Sequence, residues 1–233
     1  MVSTWRRRLF VTFVLMAAAA GIGAYSLFRA AQQVPEFYSA ALEMPPTVAE
    51  KACDQFSDQA FALANDVEKE GSWSALFTDE QINGWLATDL VEKHPLLLPP
   101  NFAHPRVKLL EDHAQVGVRY TVSGVETVAW MDVDARMTDT HEIALRFRDI
   151  RAGAVPLPLA TILDAVTTGA KELNLPLRWT SMDDDPTAVI GLPHSIKHGL
   201  RYELTKLKIA EGKLFVSGQT LKAEPESSTR ETQ

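Results

Sequence analysis

Residues 115–123 read QVGVRYTVS, and apolar side chains stand at every second position from Val116 to Val122. Successive side chains of a strand point to opposite faces, so this alternation predicts a strand with one apolar and one polar face. The same two-residue period returns in Glu142–Ile150 and, less regularly, in Thr127–Met137, with turn residues between the segments. Together they predict an antiparallel meander, the type of sheet that commonly keeps one face in water.

Two amphipathic helices are predicted to pack against the meander. The first covers residues 78–94 and begins with Thr78 and Gln81, which have the spacing of a capping box. The second covers residues 159–173, where the apolar period changes back to that of a helix. Pro158 would lie in its first turn, where proline is tolerated.

The inner faces of these two helices supply much apolar surface, and two interpretations of that surface stay open. The side chains either fill a solid core or line a groove for acyl chains beneath a curled sheet. The residues predicted to line such a groove are Ile82, Trp85, Leu86, Leu90, Ile162, Leu163 and Val166. Periodicity alone does not distinguish a filled interior from a hollow one.

Another helix is predicted ahead of the meander, and short strands are predicted near the C-terminus. Thr47–Glu50 has the form of a capping box, and an apolar stripe from Cys53 to Val67 extends the helix to about Glu70. Gly71 would then cap the helix end. The later strands are predicted at Leu177–Trp179, Ala188–Leu192, Leu204–Ile209 and Lys213–Val216, with the last two joined as a hairpin.

The N-terminal segment Leu9–Phe28, LFVTFVLMAAAAGIGAYSLF, contains no charged residue. A helix of this length would be about 30 Å long, which matches the hydrocarbon core of a bilayer. Arg6, Arg7 and Arg8 precede the segment, so the N-terminus is expected in the cytoplasm and the rest of the chain outside it. The alternative is a cleaved signal peptide with Ala18–Ala20 at the cleavage site.

These elements predict an α+β chain with an N-terminal transmembrane helix, a helical segment, and then an antiparallel strand meander packed with amphipathic helices. The predicted parts are a cytoplasmic N-terminus at 1–8, a transmembrane anchor at 9–28, a juxtamembrane and helical spacer at 29–75, an extracytoplasmic α+β domain at 76–221 and a disordered tail at 222–233. The tail is rich in Glu, Ser and Thr, a composition that does not bury enough apolar surface to fold.

The charge balance argues against nucleic acid as a partner. The chain has 23 basic and 30 acidic residues, and three of the basic ones precede the anchor, so the exterior part carries a net charge of −10. An acidic surface repels phosphate backbones and anionic headgroups, but it leaves room for single lipids in an apolar cavity. Cys53 is the only cysteine, so neither an intrachain disulfide nor a thiolate metal site is predicted.

No constellation of residues in the sequence predicts catalysis, a cofactor or a metal site. His194 and His198 are four residues apart, but the surrounding sequence favours a polar loop over a zinc site. Asp183–Asp185 lacks the spaced oxygens and the central glycine of a calcium-binding loop. Asp132 and Asp134 fall on one side of a strand, and they are expected to face solvent rather than act as acid and base.

Three short stretches carry a family resemblance: Phe77–Asn83 (FTDEQIN) as a helix start, Ile150–Pro158 (IRAGAVPLP) as a strand-to-helix junction, and Lys208–Gly218 (KIAEGKLFVSG) as a late hairpin. They resemble YpmS-type membrane-anchored bacterial proteins over roughly residues 76–218. The resemblance implies a plan like that of tubular lipid-binding folds, with a lipid-binding role and no catalytic residues. The Pro-rich crossing Leu96–Pro105 and the acidic loop Asp183–Asp185 depart from the family pattern.

The sequence therefore predicts a single-pass protein of a bacterial cell envelope whose exterior domain binds or transfers a lipid or another apolar ligand. Its expected partners are the membrane, through Leu9–Phe28, a lipid and an envelope protein. The alternative is a non-enzymatic envelope scaffold or assembly subunit, for which the Cys53–Val67 stripe and the tail would be contact surfaces. A hydrolase is the least favoured interpretation, because no catalytic pattern supports it.

Overall fold

The computed structural model describes residues 16, 19–122, 124–157, 159–182, 185–191 and 200–222, without the side chains of residues 159, 161, 162 and 165. Within these ranges, no helix combines the length and the apolar character that crossing a membrane requires. Residues 9–15, 17 and 18 of the predicted anchor lie outside the described residues, and so does the predicted tail from residue 223 onward. Both therefore stay predictions, although Lys222 belongs to a strand and not to the tail.

The described part of the chain is α+β, as predicted. Its helices are α1 (19–31), α2 (Glu36–Leu42), α3 (Pro46–Val67), α4 (Asp79–Ala87), α5 (Asp89–Lys93) and α6 (Leu159–Glu172), with a 3-10 turn at Pro95–Leu97. Its strands are β1 (Gly71–Thr78), β2 (Phe102–Leu109), β3 (Ala114–Val122), β4 (Val125–Met137), β5 (Ile143–Ala152), β6 (Val155–Pro156), β7 (Leu177–Met182), β8 (Asp185–Ile190), β9 (Leu200–Ala210) and β10 (Lys213–Lys222).

Among the described residues the strands form two antiparallel sheets. The larger sheet has the order β2-β3-β4-β5-β8-β7, with β6 paired to β5, and the smaller one has the order β1-β10-β9. The predicted meander is confirmed, because β2 to β5 are consecutive in the chain and adjacent in the sheet. The predicted late hairpin is confirmed as β9 and β10.

The register of the larger sheet gathers its apolar side chains on one face. Leu109 pairs with Ala114, Ala114 with Val133, and Val133 with Phe147. At one end of this face, Ile209 of β9 joins Leu109 and Ala114 in a buried cluster. At the other end, Val133 and Phe147 form a second cluster with Ala188 of β8. The core therefore lies between the apolar face of the sheet and the elements that cover it.

The segment that follows α3 is a strand that the sequence did not predict. Helix α3 ends at Val67 and not near Glu70, and Gly71 opens β1 with a φ of 133° that a side chain would strain. Strand β1 pairs with β10 along its whole length, from Gly71 with Thr220 to Thr78 with Lys213. This long-range pairing leaves little trace in the local sequence.

The start of α3 also differs from the prediction. The helix begins at Pro46, and Pro45 precedes it in an extended conformation without a side-chain cap. Proline suits the first helical position because its fixed φ is already helical and its missing N–H leaves no donor unsatisfied. The capping box predicted for Thr47–Glu50 is therefore wrong, because these residues lie inside the helix.

Two further boundaries are corrected. The helix predicted for residues 78–94 is broken at Thr88, which separates α4 from α5 and donates its hydroxyl to the Gly84 carbonyl at 2.8 Å. The Pro-rich crossing ends earlier than predicted, because β2 already begins at Phe102. Pro105 fits this edge strand since the register shifts between Ala103 and Arg106, and a bulge tolerates a missing N–H.

Helices α2 and α3 pack on the domain and do not stand apart as a spacer. At the α3–α4 crossing, a Cβ atom built on Gly84 would lie 2.7 Å from the Ala49 carbonyl oxygen, from the Cys53 amide nitrogen and from the Ala52 Cβ. Cys53 is buried there as a free thiol. The segment predicted as a spacer at 29–75 is therefore part of the folded unit.

Candidate functional site

A cleft of about 660 Å³ lies between α2 and the start of α4, over the polar face of the larger sheet. We call it the α2–α4 cleft. Phe37 and Ala40 of α2, with Met44 just beyond that helix, line one wall (the α2 wall), and Asp79 and Glu80 line the other (the α4 wall). Side chains from β2, β3 and β4 form the floor: Lys108, Gln115 and Trp130.

Helix α2 lies close to the polar face of the sheet, because β3 has a glycine, Gly117, at the point of contact. A Cβ on Gly117 would come within 2.8 Å of the Tyr38 ring and 3.1 Å of the Phe37 ring. Tyr38 is only 1% exposed, and its hydroxyl donates to the His104 carbonyl at 2.8 Å. Burial raises the pKa of Tyr38, against the lowering effect of nearby arginines, so the hydroxyl keeps the proton it donates.

Aromatic rings give the cleft an apolar end. Phe37 and Trp130 meet edge to face, with ring centroids 6.5 Å apart and planes at 73°. Trp130 is held in place because its Nε1 donates to the Gly153 carbonyl at 2.7 Å. The guanidinium of Arg151 lies 5.8 Å from the centroid of the Trp130 ring. The apolar end is thus built from side chains with fixed positions.

The capping box predicted at the start of α4 is confirmed, and it fixes the polar wall of the cleft. Thr78 Oγ1 accepts from the Gln81 amide at 3.2 Å, and Gln81 Oε1 accepts from the Thr78 amide at 2.9 Å. One turn later, the buried Asn83 donates Nδ2 to the Val107 carbonyl at 2.7 Å and accepts from the Val107 amide at 2.8 Å. These bonds lock α4 onto edge strand β2.

Acidic groups predominate among the charges of the cleft. Asp79, in the first turn of α4, places Oδ2 3.2 Å from Lys108 Nζ. Glu36 and Glu80 also line the cleft, and both are exposed. The cleft therefore carries three carboxylates and one ammonium group beside a wall of aromatic and methyl groups. This arrangement suits a ligand with an apolar part and a polar part.

The residues predicted to line a groove lie elsewhere. Ile82 packs against the cluster formed by Leu109, Ala114 and Ile209, whereas Val166 packs against the cluster formed by Val133, Phe147 and Ala188. The structure thus does not bring these two residues together.

The remaining predicted lining residues also lie away from the cleft. The Trp85 ring contacts Phe56 and His94, with centroids 5.7 and 6.1 Å apart. Leu90 is buried, Leu86 and Leu163 are half-buried, and the side chain of Ile162 is not among those described. None of the described six lines the α2–α4 cleft. A lining role for them stays a prediction.

The interpretation of Asp134 as a solvent-facing carboxylate is wrong. Its side chain is 5% exposed and accepts hydrogen bonds from Arg146 at 2.6 Å and from Arg148 at 2.8 Å. Burial on its own would raise the pKa of Asp134, but the hydrogen bonds from Arg148 and Arg146 outweigh it, so the pKa lies below its ordinary value. Asp132 is half-buried and accepts from Gln115 at 3.1 Å.

Several candidates from the sequence fall on residues that the structure does not describe. His194 and His198 are among them, and so are Asp183 and Asp184. Within the described ranges, no group of three or more His, Cys, Asp or Glu side chains is placed to hold a metal ion.

Sequence reasoning missed the floor and the α2 wall of the cleft, although one signal was present. Gly117 interrupts the apolar and polar alternation of β3, and a glycine inside a strand often marks the close approach of another segment. The aromatic pair Phe37 and Tyr38 is the segment that approaches it.

Comparison with models of protein families, with curated proteins and with solved structures gave no match. The resemblance to YpmS-type proteins therefore stays a prediction, and the α2–α4 cleft rests on its own geometry.

Proposed function

We propose that this protein is a non-enzymatic binding domain that holds an amphipathic ligand, such as a single lipid, in the α2–α4 cleft. The observation that carries the proposal is the cleft itself, whose volume of about 660 Å³ falls within the usual range for small-molecule sites. The α2 wall is apolar apart from Glu36, and the α4 wall bears the carboxylates of Asp79 and Glu80, so the two ends of an amphipath would meet different surroundings.

We further propose that Leu9–Phe28 anchors the domain at the exterior face of a bacterial membrane. The C-terminal part of this segment supports the proposal, because Ile22, Tyr25 and Leu27 expose 69%, 63% and 62% of their surface. Bare apolar side chains of this kind are favoured in a lipid environment. The ligand of the cleft would then be drawn from, or delivered to, that membrane.

The contacts at the end of α1 support a position of the cleft near the membrane. The Ala30 carbonyl accepts from the Ala154 amide at 2.9 Å, and the Ala31 carbonyl accepts from the Thr127 hydroxyl. A Cβ on Gly153 would lie 2.6 Å from the Ala30 carbonyl oxygen. The end of α1 is therefore docked on the sheet only a few residues before α2 begins.

Photo-crosslinking in cells tests this proposal with the full chain. A benzophenone amino acid replaces Ala40, an exposed residue of α2 that lines the cleft, and irradiated protein is analysed by intact mass. The matched control carries the same group at Ala62, an exposed alanine of α3 that does not line the cleft. We expect a light-dependent lipid or amphiphile adduct at position 40 and none at position 62. Equal adducts at both positions, or none at position 40, would overturn the proposal.

A further inference from the structure

The charges of the α2–α4 cleft do not balance. Lys108 is engaged by Asp79, with 3.2 Å between Nζ and Oδ2. Glu36 and Glu80 form no ion pair with any described residue, and both line the same cleft. Together the four groups leave a net charge of −2 next to the apolar wall. A bound anion would be repelled by this surface, whereas a cation would be attracted.

The carboxylate of Asp79 already has a partner. Its Oδ2 atom is buried and lies 3.2 Å from Lys108 Nζ, within the distance of an ion pair. Lys108 therefore balances the charge of Asp79, and the carboxylates left for a ligand that offers N–H groups are those of Glu36 and Glu80. An alkyl ammonium group offers up to three such donors and carries the complementary charge.

The polar and apolar parts of the cleft are placed for one molecule to use both. The α4 wall presents the carboxylates of Asp79 and Glu80, and the α2 wall presents Phe37 and Met44. Resting on the proposed function, we propose that the ligand carries a primary ammonium group next to an apolar chain. The ammonium binds at the α4 wall, and the chain lies between Phe37, Met44 and Trp130.

The experiment uses the full chain in lipid nanodiscs with the benzophenone group at position 40. Octylamine, octanol and octyl sulfate share the same chain and differ in their polar group, and each is added at the same concentration before irradiation. We expect the octylamine adduct to exceed the octyl sulfate adduct at least tenfold. The double substitution Glu36→Gln and Glu80→Gln should reduce this ratio to below threefold. Glu68→Gln, an exposed acid of the segment after α3, should leave it unchanged.

The outcomes separate the ammonium inference from the proposed function. Similar yields for the three probes would refute the ammonium preference and leave the cleft as a binding site. A preference for octyl sulfate, or a ratio that the double substitution leaves unchanged, would also refute it. Failure of every probe and of the nanodisc lipid to react would overturn both proposals.

A second arm distinguishes a membrane lipid from a free amine as the source of the ammonium group. Nanodiscs made with phosphatidylethanolamine are compared with nanodiscs made only with phosphatidylglycerol, without added probe. An adduct with the mass of phosphatidylethanolamine identifies the lipid headgroup. An adduct that forms only with added octylamine identifies a free amine. Reaction with phosphatidylglycerol at the same yield as with phosphatidylethanolamine would contradict the proposal.

Discussion

Replacing Gly84 by Ala should destabilise this protein, although the same change in most helices is stabilising. Gly84 lies in the interior of α4, where α4 crosses α3. The new methyl group would stand 2.7 Å from the Ala49 carbonyl oxygen, the Cys53 amide nitrogen and the Ala52 Cβ. Two of these three atoms belong to the backbone of α3, so they cannot move aside without shifting that helix.

The two opposing effects can be weighed against each other. Alanine is favoured over glycine within a helix by about 1 kcal/mol, because glycine loses more backbone entropy on folding. Extra carbon atoms in a well-packed site cost about 1–3 kcal/mol, and rigid neighbours place the cost toward the upper end. We therefore expect Gly84→Ala to lower the free energy of unfolding by about 1–2 kcal/mol.

Gly169→Ala is the matched control. Gly169 also lies inside a helix, α6, but a Cβ there would meet no atom within 4 Å. Only the difference in helix propensity remains, so this variant should have a free energy of unfolding about 0.5–1 kcal/mol higher than the parent. Urea unfolding of the full chain, followed by tryptophan fluorescence, compares the transition midpoints at constant slope. A neutral or stabilised Gly84→Ala variant would refute the close approach of α3 and α4.

Three further predictions address single contacts. Thr78→Ala should lower the free energy of unfolding by about 1 kcal/mol in the same urea assay, because it removes the cap of α4. The control Thr47→Ala, within α3 and without a capping role, should lower it by less than about 0.5 kcal/mol. Trp179→Phe should cost about 1 kcal/mol, measured in the same way, because the indole donates to Thr167 of α6 at 3.0 Å; an unchanged midpoint would contradict this contact. Asp134→Asn should cost about 3 kcal/mol at pH 7 by breaking a buried ion pair. The pKa of Asp134 is lowered in the folded state, so its ionised form stabilises the fold fully above about pH 4, and this stabilisation is lost as the pH falls through the folded-state pKa. The melting temperature of Asp134→Asn should therefore depend less on pH below 4 than that of the parent.

The meander and the start of α4 could be predicted because their signals are local. Alternation in β3 follows from the geometry of a single strand, and the capping box of Thr78 and Gln81 is satisfied within one turn. Strand β1 was missed because it depends on β10, which lies about 140 residues further along the chain. The partners of Asp134 were missed for the same reason, since its arginines are on β5 and meet it only through the register.

The cleft could not be predicted without knowing which helix covers the polar face of the sheet. Amphipathic patterns predicted that α4 and α6 would cover the apolar face, and Ile82 and Val166 do pack there. Helix α2 has only seven residues, and its aromatic side chains lie on a face that the sequence assigned to water. Tyr38 of this short helix is buried next to Gly117, so α2 covers this face of the sheet and shields it from water.

The packing of α2 and α3 also changes the expected role of residues 29–75. A flexible spacer would let the domain move away from its anchor by the length of the linker. Here the end of α1 is bonded to residues 127 and 154, and α2 is held by Tyr38. If Leu9–Phe28 spans the bilayer as proposed, the mouth of the cleft stays at one distance from the membrane, so ligand exchange depends on that fixed orientation. Gly153→Val should disrupt the contact between the end of α1 and the sheet, because its Cβ would lie 2.6 Å from the Ala30 carbonyl oxygen. We then expect fewer lipid adducts at position 40 in cells, while octylamine still reacts at position 40 in nanodiscs. Equal loss of both adducts would show that the substitution damages the cleft itself, and unchanged lipid adducts would show that this contact does not control access.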